Sequence, residues 1–468
     1  AAAAAAAVTA ATAVRTSKRR VAFTLAYLGD HFLGSQHQGP DLRTCEQRLE
    51  RAVYRAGMLA PSNYGDPLKN GFSRASRTDK GVHALSAVVS LKIEVPGDGV
   101  FDPCTGSLDP SVVDRIRAHL PADMAVLSCT RVGKRFSARQ AANYRSYRYH
   151  LPKHIFFNNK DTINTKTMEE VRASLQHNLA AFCGTHFFHN FTRGSARKHG
   201  AHALPENMGF GRGHSSLRRS ILHCGIEDEN ERYFHIRIAG QSFIYNQIRA
   251  MVGTAAAVTA GLLPDRQPRA ALSALAPLFA TPAPLAPAAP LVQTDCSFTP
   301  QSSVLMRASD AREVFGESAT PRKTDPNRPL RVLMDSAAEA RAVRFMEDVI
   351  SGPMWDRCRE SSTLEEFLGL DAAGGAGLAR LLESEWVQVE EQESGRPFRE
   401  KVLLSENVRL PNGLATAAAV RFGLRPGCLI KDALNSLKEE QGKLHELGGT
   451  PHPDMETCLE MLEPRLRK

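Results

Sequence analysis

Four short stretches of this sequence hold residues whose types and spacing suit chemistry. The first is Ser73–Ala84, SRASRTDKGVHA, where a single carboxylate, Asp79, stands between Arg77 and Lys80 and just before Gly81. Glycine permits a turn with positive φ, so the spacing predicts a loop that enters a following strand. The two flanking cations hold the carboxylate ionised and attract phosphate. A capping Asx-turn accounts for the same pattern with no chemistry at all. The second stretch, Lys134–Leu151 (KRFSARQAANYRSYRYHL), interleaves Arg135, Arg139, Arg145 and Arg148 with Phe136, Tyr144, Tyr147 and Tyr149. On a strand, Arg145, Tyr147 and Tyr149 share one face. Aromatic rings stack on bases while arginines neutralise phosphates. An aromatic core strand edged by extended arginines fits the pattern equally well.

The third stretch, Phe182–Thr192 (FCGTHFFHNFT), spaces Cys183, His186 and His189 as C-x2-H-x2-H. That is a poor match to zinc geometries, with no fourth ligand nearby, so no metal site is read here. The better reading is a packed aromatic element whose histidines hydrogen-bond or face RNA. In the fourth, Ile236–Thr254 (IRIAGQSFIYNQIRAMVGT), a strand turns at Gly240 into a helix predicted over 243–261. Phe243, Ile244, Ile248 and Met251 give it an apolar side, and Arg249 lies within reach of that side. An arginine placed there is costly unless a carboxylate pairs with it, and Asp79 is a candidate. An arginine facing solvent is the other reading. The glycine-rich GFGRG at 209–213 does not match a P-loop and reads as a basic loop.

Strands and helices must position these residues. Apolar alternation predicts strands from Val21, over 87–93, 143–151 and 234–239, and a last one over 291–298. Helical spacing predicts helices over 44–58, 111–120, 168–179 and 337–350, with further acidic helices over 432–447 and 455–462. No regular strand–helix–strand alternation emerges, which favours α+β over a doubly wound parallel sheet.

Composition bounds the function. The chain has 468 residues and a formal net charge of +9. Residues 1–300 hold 36 Lys and Arg against 22 Asp and Glu, whereas residues 301–468 hold 23 against 28. The first part has the charge of a polyanion binder and the last third does not. The uncharged run 270–294 is long enough to span a bilayer but is interrupted by five prolines, so no membrane span is expected. The nine dispersed cysteines, with no C-x-x-C, read as free thiols in a reducing compartment. The first 20 residues, rich in Ala and Thr and basic at their end, have no acidic residue; they read as a leader or disordered tail. The composition favours a mitochondrial destination, with a nuclear signal at Lys18–Arg20 as the alternative.

In their order and spacing, RTDKGVHA, the F-S-A-R…Y-R-S-Y-R-Y-H-L-P stretch, GTHFFHNFT and GQSFIYNQIRAMVGT resemble the TruA-type tRNA pseudouridine synthases. The last two resemble more closely the eukaryotic branch that modifies stem nucleotides. AYLGDHFLGSQHQ at 26–38 is similar to that family's first-strand motif, and APAAPLVQTDCSF to its final strand. The resemblance covers about residues 20–300. It implies an α+β fold: two ferredoxin-like halves sharing a mostly antiparallel sheet with a central basic cleft. Charge and helical spacing add a largely helical, acidic extension over 301–468. It implies breakage of the N1–C1′ bond of a uridine in tRNA or organellar rRNA and formation of a C5–C1′ bond, with no cofactor. It places the essential carboxylate at Asp79, a ring stacked on the extruded uracil at Tyr147 and the ion-pair partner of the aspartate at Arg249. Arg77, Lys80, Arg135, Arg139, Arg145, His186 and His189 are then the expected RNA contacts. Oligomeric state stays open, and protein partners are expected through the acidic extension. A non-catalytic or dual role in mitochondrial ribosome assembly is the alternative function.

Overall fold

The computed structural model describes residues 16–38, 42–103, 105–157, 167–192, 217–263, 283–298, 305–307 and 331–370. The first 15 residues of the expected leader, the GFGRG loop, the helices expected over 432–447 and 455–462, and most of the acidic extension lie outside the described residues. Two compact units divide the chain, and each has its own core.

The first unit comprises residues 1–78, 84–141 and 298–346. Its strands are β1 (Ser17–Tyr27), the two-residue β2 (Ser73–Arg74), β3 (His83–Val95, of which His83 clusters with the second unit) and β4 (Met124–Arg131). They run in the order β4–β1–β3, all antiparallel, with β2 beside β3. Helix α1 (Cys45–Arg55) starts where Thr44 accepts a hydrogen bond from Gln47 N. Helix α2 (Pro110–Arg117) starts at Asp109, with Pro110 at its first position, where a missing N–H costs nothing. Their inward residues, among them Leu49, Val53, Val113 and Ile116, pack on Phe23, Leu25, Leu91 and Ile93.

The second unit comprises residues 79–83, 142–297 and 347–468. It contains β5 (Ala142–Pro152), α3 (Met168–Ala180), β6 (Gly184–Phe187), β7 (Arg218–Glu229), β8 (Tyr233–Gly240), α4 (Gln247–Thr259) and β9 (Leu291–Phe298, of which Phe298 clusters with the first unit). The strand order is β9–β5–β8–β7–β6, and the pairs from β5 to β6 are antiparallel. Helix α3 opens with a reciprocal cap: Thr167 Oγ1 accepts from Glu170 N, and the Glu170 carboxylate accepts from Thr167 N. Helices α3 and α4 pack together, and Asn178 Nδ2 donates to Thr259 Oγ1 at 3.2 Å.

The chain after residue 300 adds to both units. The short strands β10 (Leu305–Arg307) and β11 (Arg331–Met334) pair in parallel, and α5 (Ser336–Phe345) packs on β4 of the first unit. Helices α6 (Ser351–Arg359) and α7 (Leu364–Leu368) belong to the second unit, and α7 contributes Leu364, Phe367 and Leu368 to its core. No helix among the described residues is long and apolar enough to cross a membrane.

Two expected boundaries move. Strand β1, expected from Val21, begins at Ser17, so residues 17–20 of the expected leader pair with β3. The helix predicted from residue 243 begins at Gln247. Asn246 stands at φ 63°, in the left-handed region, which a continuing α-helix does not tolerate. The apolar spacing of Phe243 and Ile244 mimics a first turn that the backbone does not make.

Candidate active site

Strand β5 orders the second motif by simple alternation. Tyr147 and Tyr149 both point into the core of the second unit, opposite Ile238 and Ile236 of β8. The Tyr147 ring meets Phe243 edge-on, with centroids 5.3 Å apart and planes 86° apart. Tyr149 is fully buried, and its hydroxyl donates to Pro287 O at 3.0 Å. Burial, with Cys358 nearby, drives the Tyr149 pKa well up, while the charge of Arg249 pulls it back. On the opposite face, Arg237 Nη2 donates to Tyr144 Oη at 2.7 Å, and Arg148 pairs with Glu227 and Asp228.

Helix α4 is buried along its whole length except at Arg249, which is half-buried. A helix that is apolar all round belongs inside a protein, so its one charged residue needs special provision. Arg249 Nε donates to Ala286 O at 2.7 Å, and Nη1 donates to Asn246 Oδ1 at 3.3 Å. Ala286 N in turn donates to Arg249 O at 3.1 Å. These acceptors are neutral. They orient the guanidinium.

Asp79 lies on the loop that the sequence predicts. Thr78, immediately before it, is clamped three times: Tyr27 Oη and Thr78 Oγ1 are 2.7 Å apart, Thr78 N donates to Ser35 Oγ at 2.9 Å, and Ser35 N donates to Thr78 O at 3.1 Å. After it, Val82 N donates to Asp79 O at 3.1 Å across Gly81, whose φ of 83° is one that glycine adopts at no steric cost. Val82 is buried in the same apolar cluster as Tyr147, Ile248 and Met251. Asp79 itself is half-buried. The loop bearing Asp79, the strand bearing Tyr147 and the helix bearing Arg249 are therefore anchored in one core.

The other predicted residues divide by exposure. Arg77, Lys80, Arg135 and Arg139 are exposed, and Arg77 Nη1 donates to Gln36 Oε1 at 3.2 Å. Arg145 is only 7% exposed; it donates to Ala142 O at 3.0 Å and to Gln241 O, tying the start of β5 to the turn after β8. His186 is half-buried, with Nε2 2.7 Å from Cys183 O, and His189 is 1% exposed, its Nε2 3.1 Å from Asn190 Nδ2. Sequence reasoning missed Phe243 as the neighbour of Tyr147, and it missed segment 283–290, whose carbonyls serve Arg249 and Tyr149. Backbone acceptors leave no mark on residue type. The left-handed Asn246 did have a signal, because asparagine enters that region more readily than other non-glycine residues.

A loop-borne aspartate, a core tyrosine and a helix-borne arginine are thus set on a mixed α/β unit of mostly antiparallel strands. Residues 179–299 match the model of the tRNA pseudouridine synthase family. Over these residues the match agrees with the motif resemblance. The match takes in the third and fourth motifs and β9.

Two mammalian relatives align over about half of the chain. One is pseudouridylate synthase 1 homolog of Mus musculus, 32% identical over 258 residues, covering 53% of this chain and 54% of the relative. The other is its Homo sapiens counterpart, 31% identical over 255 residues, covering 52% and 53%. A fungal relative, tRNA pseudouridine synthase 1 of Eremothecium gossypii, is 38% identical over 157 residues, covering 33% and 27%. The aligned part spans about half the length of the mammalian relatives and about a quarter of the fungal one.

Proposed function

We propose that this chain is an RNA pseudouridine synthase, an isomerase acting on uridine in tRNA or organellar rRNA without a cofactor. The observation that carries the reading is the common core that anchors the Asp79 loop, Tyr147 and α4 with Arg249. The reaction breaks the N1–C1′ bond, rotates the uracil and forms the C5–C1′ bond. The C5 proton leaves to water and N1 takes one up, so atoms balance and no redox partner is needed.

Asp79 acts as nucleophile or base on the sugar or the uracil, and Arg249 pairs with it. The Ala286 and Asn246 contacts hold the guanidinium in place for that pairing and so spare it reorganisation during the reaction. Tyr147, its ring plane set by Phe243, stacks on the extruded uracil. Extrusion costs a few kcal/mol, and phosphate contacts by exposed cations hold the RNA meanwhile. Arg77, Lys80, Arg135 and Arg139 suit that task. Arg145, His186 and His189 act in RNA binding mainly by fixing the backbone around the site.

In this reading each unit is one ferredoxin-like half. The composition of the residues before β1 supports delivery to the mitochondrion, and the acidic region after residue 300 suits docking to protein partners. Mapping pseudouridines across total RNA, in cells with and without the protein, tests the function. Loss of specific pseudouridines in its absence is the expected result; an unchanged map overturns the reading.

A further inference from the structure

An aromatic side chain stands exposed in a segment that is otherwise held rigidly. Tyr245 is 54% exposed, two residues after Phe243, whose ring meets Tyr147, and four before Arg249. Its neighbours are pinned on every side. Thr192 Oγ1 donates to Tyr245 O at 2.9 Å. Ile244 N donates to Gln247 Oε1 at 2.9 Å, and Gln247 N donates to Ile244 O at 3.1 Å. Asn246 follows at φ 63°, and among the described residues it is the only non-glycine with positive φ. A left-handed asparagine costs of order 1 kcal/mol or more, and such outliers persist where the surroundings impose them.

The consequence is local. A helix begun at Phe243 would set residue 245 over Arg249, four residues on and the one residue of α4 that is not fully buried. The left-handed step delays the helix and leaves the Tyr245 ring in solvent. A large apolar ring held outward on a fixed backbone has lost most of its ordering cost before any ligand arrives. Nucleobases present flat π-faces that such rings bind with little regard to sequence.

We propose that Tyr245 is a stacking platform for a base adjacent to the target uridine. The inference rests on the RNA-modifying reading above and adds a base-binding residue to it. Tyr245 makes its contact through the ring and not the hydroxyl. It holds the flanking nucleotide while the uridine is extruded towards Tyr147.

The test uses the full-length protein and a tRNA transcript carrying 5-tritiated uridine. Tyr245→Ala is expected to raise KM by about 5- to 150-fold, the range spanned by loss of one base–aromatic stack. Saturating turnover and the salt dependence of binding stay close to wild type, because no charge is removed. Tyr245→Phe and Tyr245→Trp are expected to keep the wild-type KM, and the new indole fluorescence of the tryptophan variant is expected to quench on RNA binding. An unchanged KM in Tyr245→Ala, a Tyr245→Phe variant as weak as Tyr245→Ala, or an indole that RNA does not quench overturns the platform while wild-type turnover still stands. Absence of tritium release by the wild-type protein overturns the pseudouridine synthase reading itself. Because the ring is exposed, its removal leaves the core intact, and a thermal melt of each variant verifies this.

Discussion

Arg249 and Ala286 exchange two hydrogen bonds. The guanidinium Nε donates to the Ala286 carbonyl at 2.7 Å, and the Ala286 N–H donates to the Arg249 carbonyl at 3.1 Å. The side chain and the backbone of one helical residue are thus fastened to the same residue of segment 283–290. Arg249→Lys retains the charge and loses the guanidinium donor at Nε. It is expected to lower turnover at least tenfold with little change in RNA affinity, and to cost about 1.5–3 kcal/mol of stability, the usual worth of a charged hydrogen bond. Steady-state kinetics beside a urea melt checks both halves.

Gly253, one turn further along α4, is where that segment comes closest. A Cβ there would lie 2.3 Å from Pro284 O and 2.8 Å from Pro284 C. Both are backbone atoms and cannot rotate away. In an open helix Gly→Ala gains about 1 kcal/mol, but overpacking costs about 1–3 kcal/mol or more and should win here. Gly253→Ala is expected to lower Tm and turnover together, since displacing Pro284 drags the Ala286 and Pro287 carbonyls from Arg249 and Tyr149. Calorimetry and kinetics on the one variant test this.

Acid stability follows from His150, which is 5% exposed on β5 with its ring against His235 and Trp355. Burial first, then the charges of His235, Arg148 and His83, lower its pKa from 6.5 to about 3. A base whose folded pKa is depressed is protonated earlier in the unfolded chain. Stability is therefore whole above about pH 6.5 and is lost as pH falls towards 3, by about 2 kcal/mol at pH 5 from this group alone. His150→Phe preserves the ring packing and is expected to flatten this acid limb in urea melts at pH 7 and pH 5.

Exposed cations should act through counterion release. Lys80→Ala and Arg77→Ala are each expected to weaken RNA binding at low salt. Each should reduce the slope of log K against log salt by about 0.7–0.9. A salt titration of binding by filter retention reads the slopes. Unchanged slopes would place the RNA elsewhere.

Much of this arrangement was legible in residue order. Gly81 after Asp79 announced a loop, and the loop is there. Alternation along NYRSYRYHL announced β5 and put Arg145, Tyr147 and Tyr149 on one face, and helical spacing over 111–120 announced α2. What residue types could not carry was backbone chemistry. The carbonyls of Ala286 and Pro287 accept from Arg249 and Tyr149 whatever side chains those positions bear. The apolar run through Phe243, Ile244 and Ile248 concealed a left-handed residue. Strand β7, charged at both ends and carrying a histidine and a glycine within, lacked the clean alternation that marked β5. Arg145 shows the converse limit: by type it reads as a phosphate ligand, yet it is buried among carbonyls.

The central claim is that Asp79 performs the chemistry. Tritium release from 5-tritiated uridine in tRNA, measured for the wild-type protein and for Asp79→Ala, tests it most directly. The half-exposed loop position predicts an Asp79→Ala protein that folds and binds RNA but releases no tritium above background. An Asp79→Ala protein that releases tritium at the wild-type rate would contradict the account.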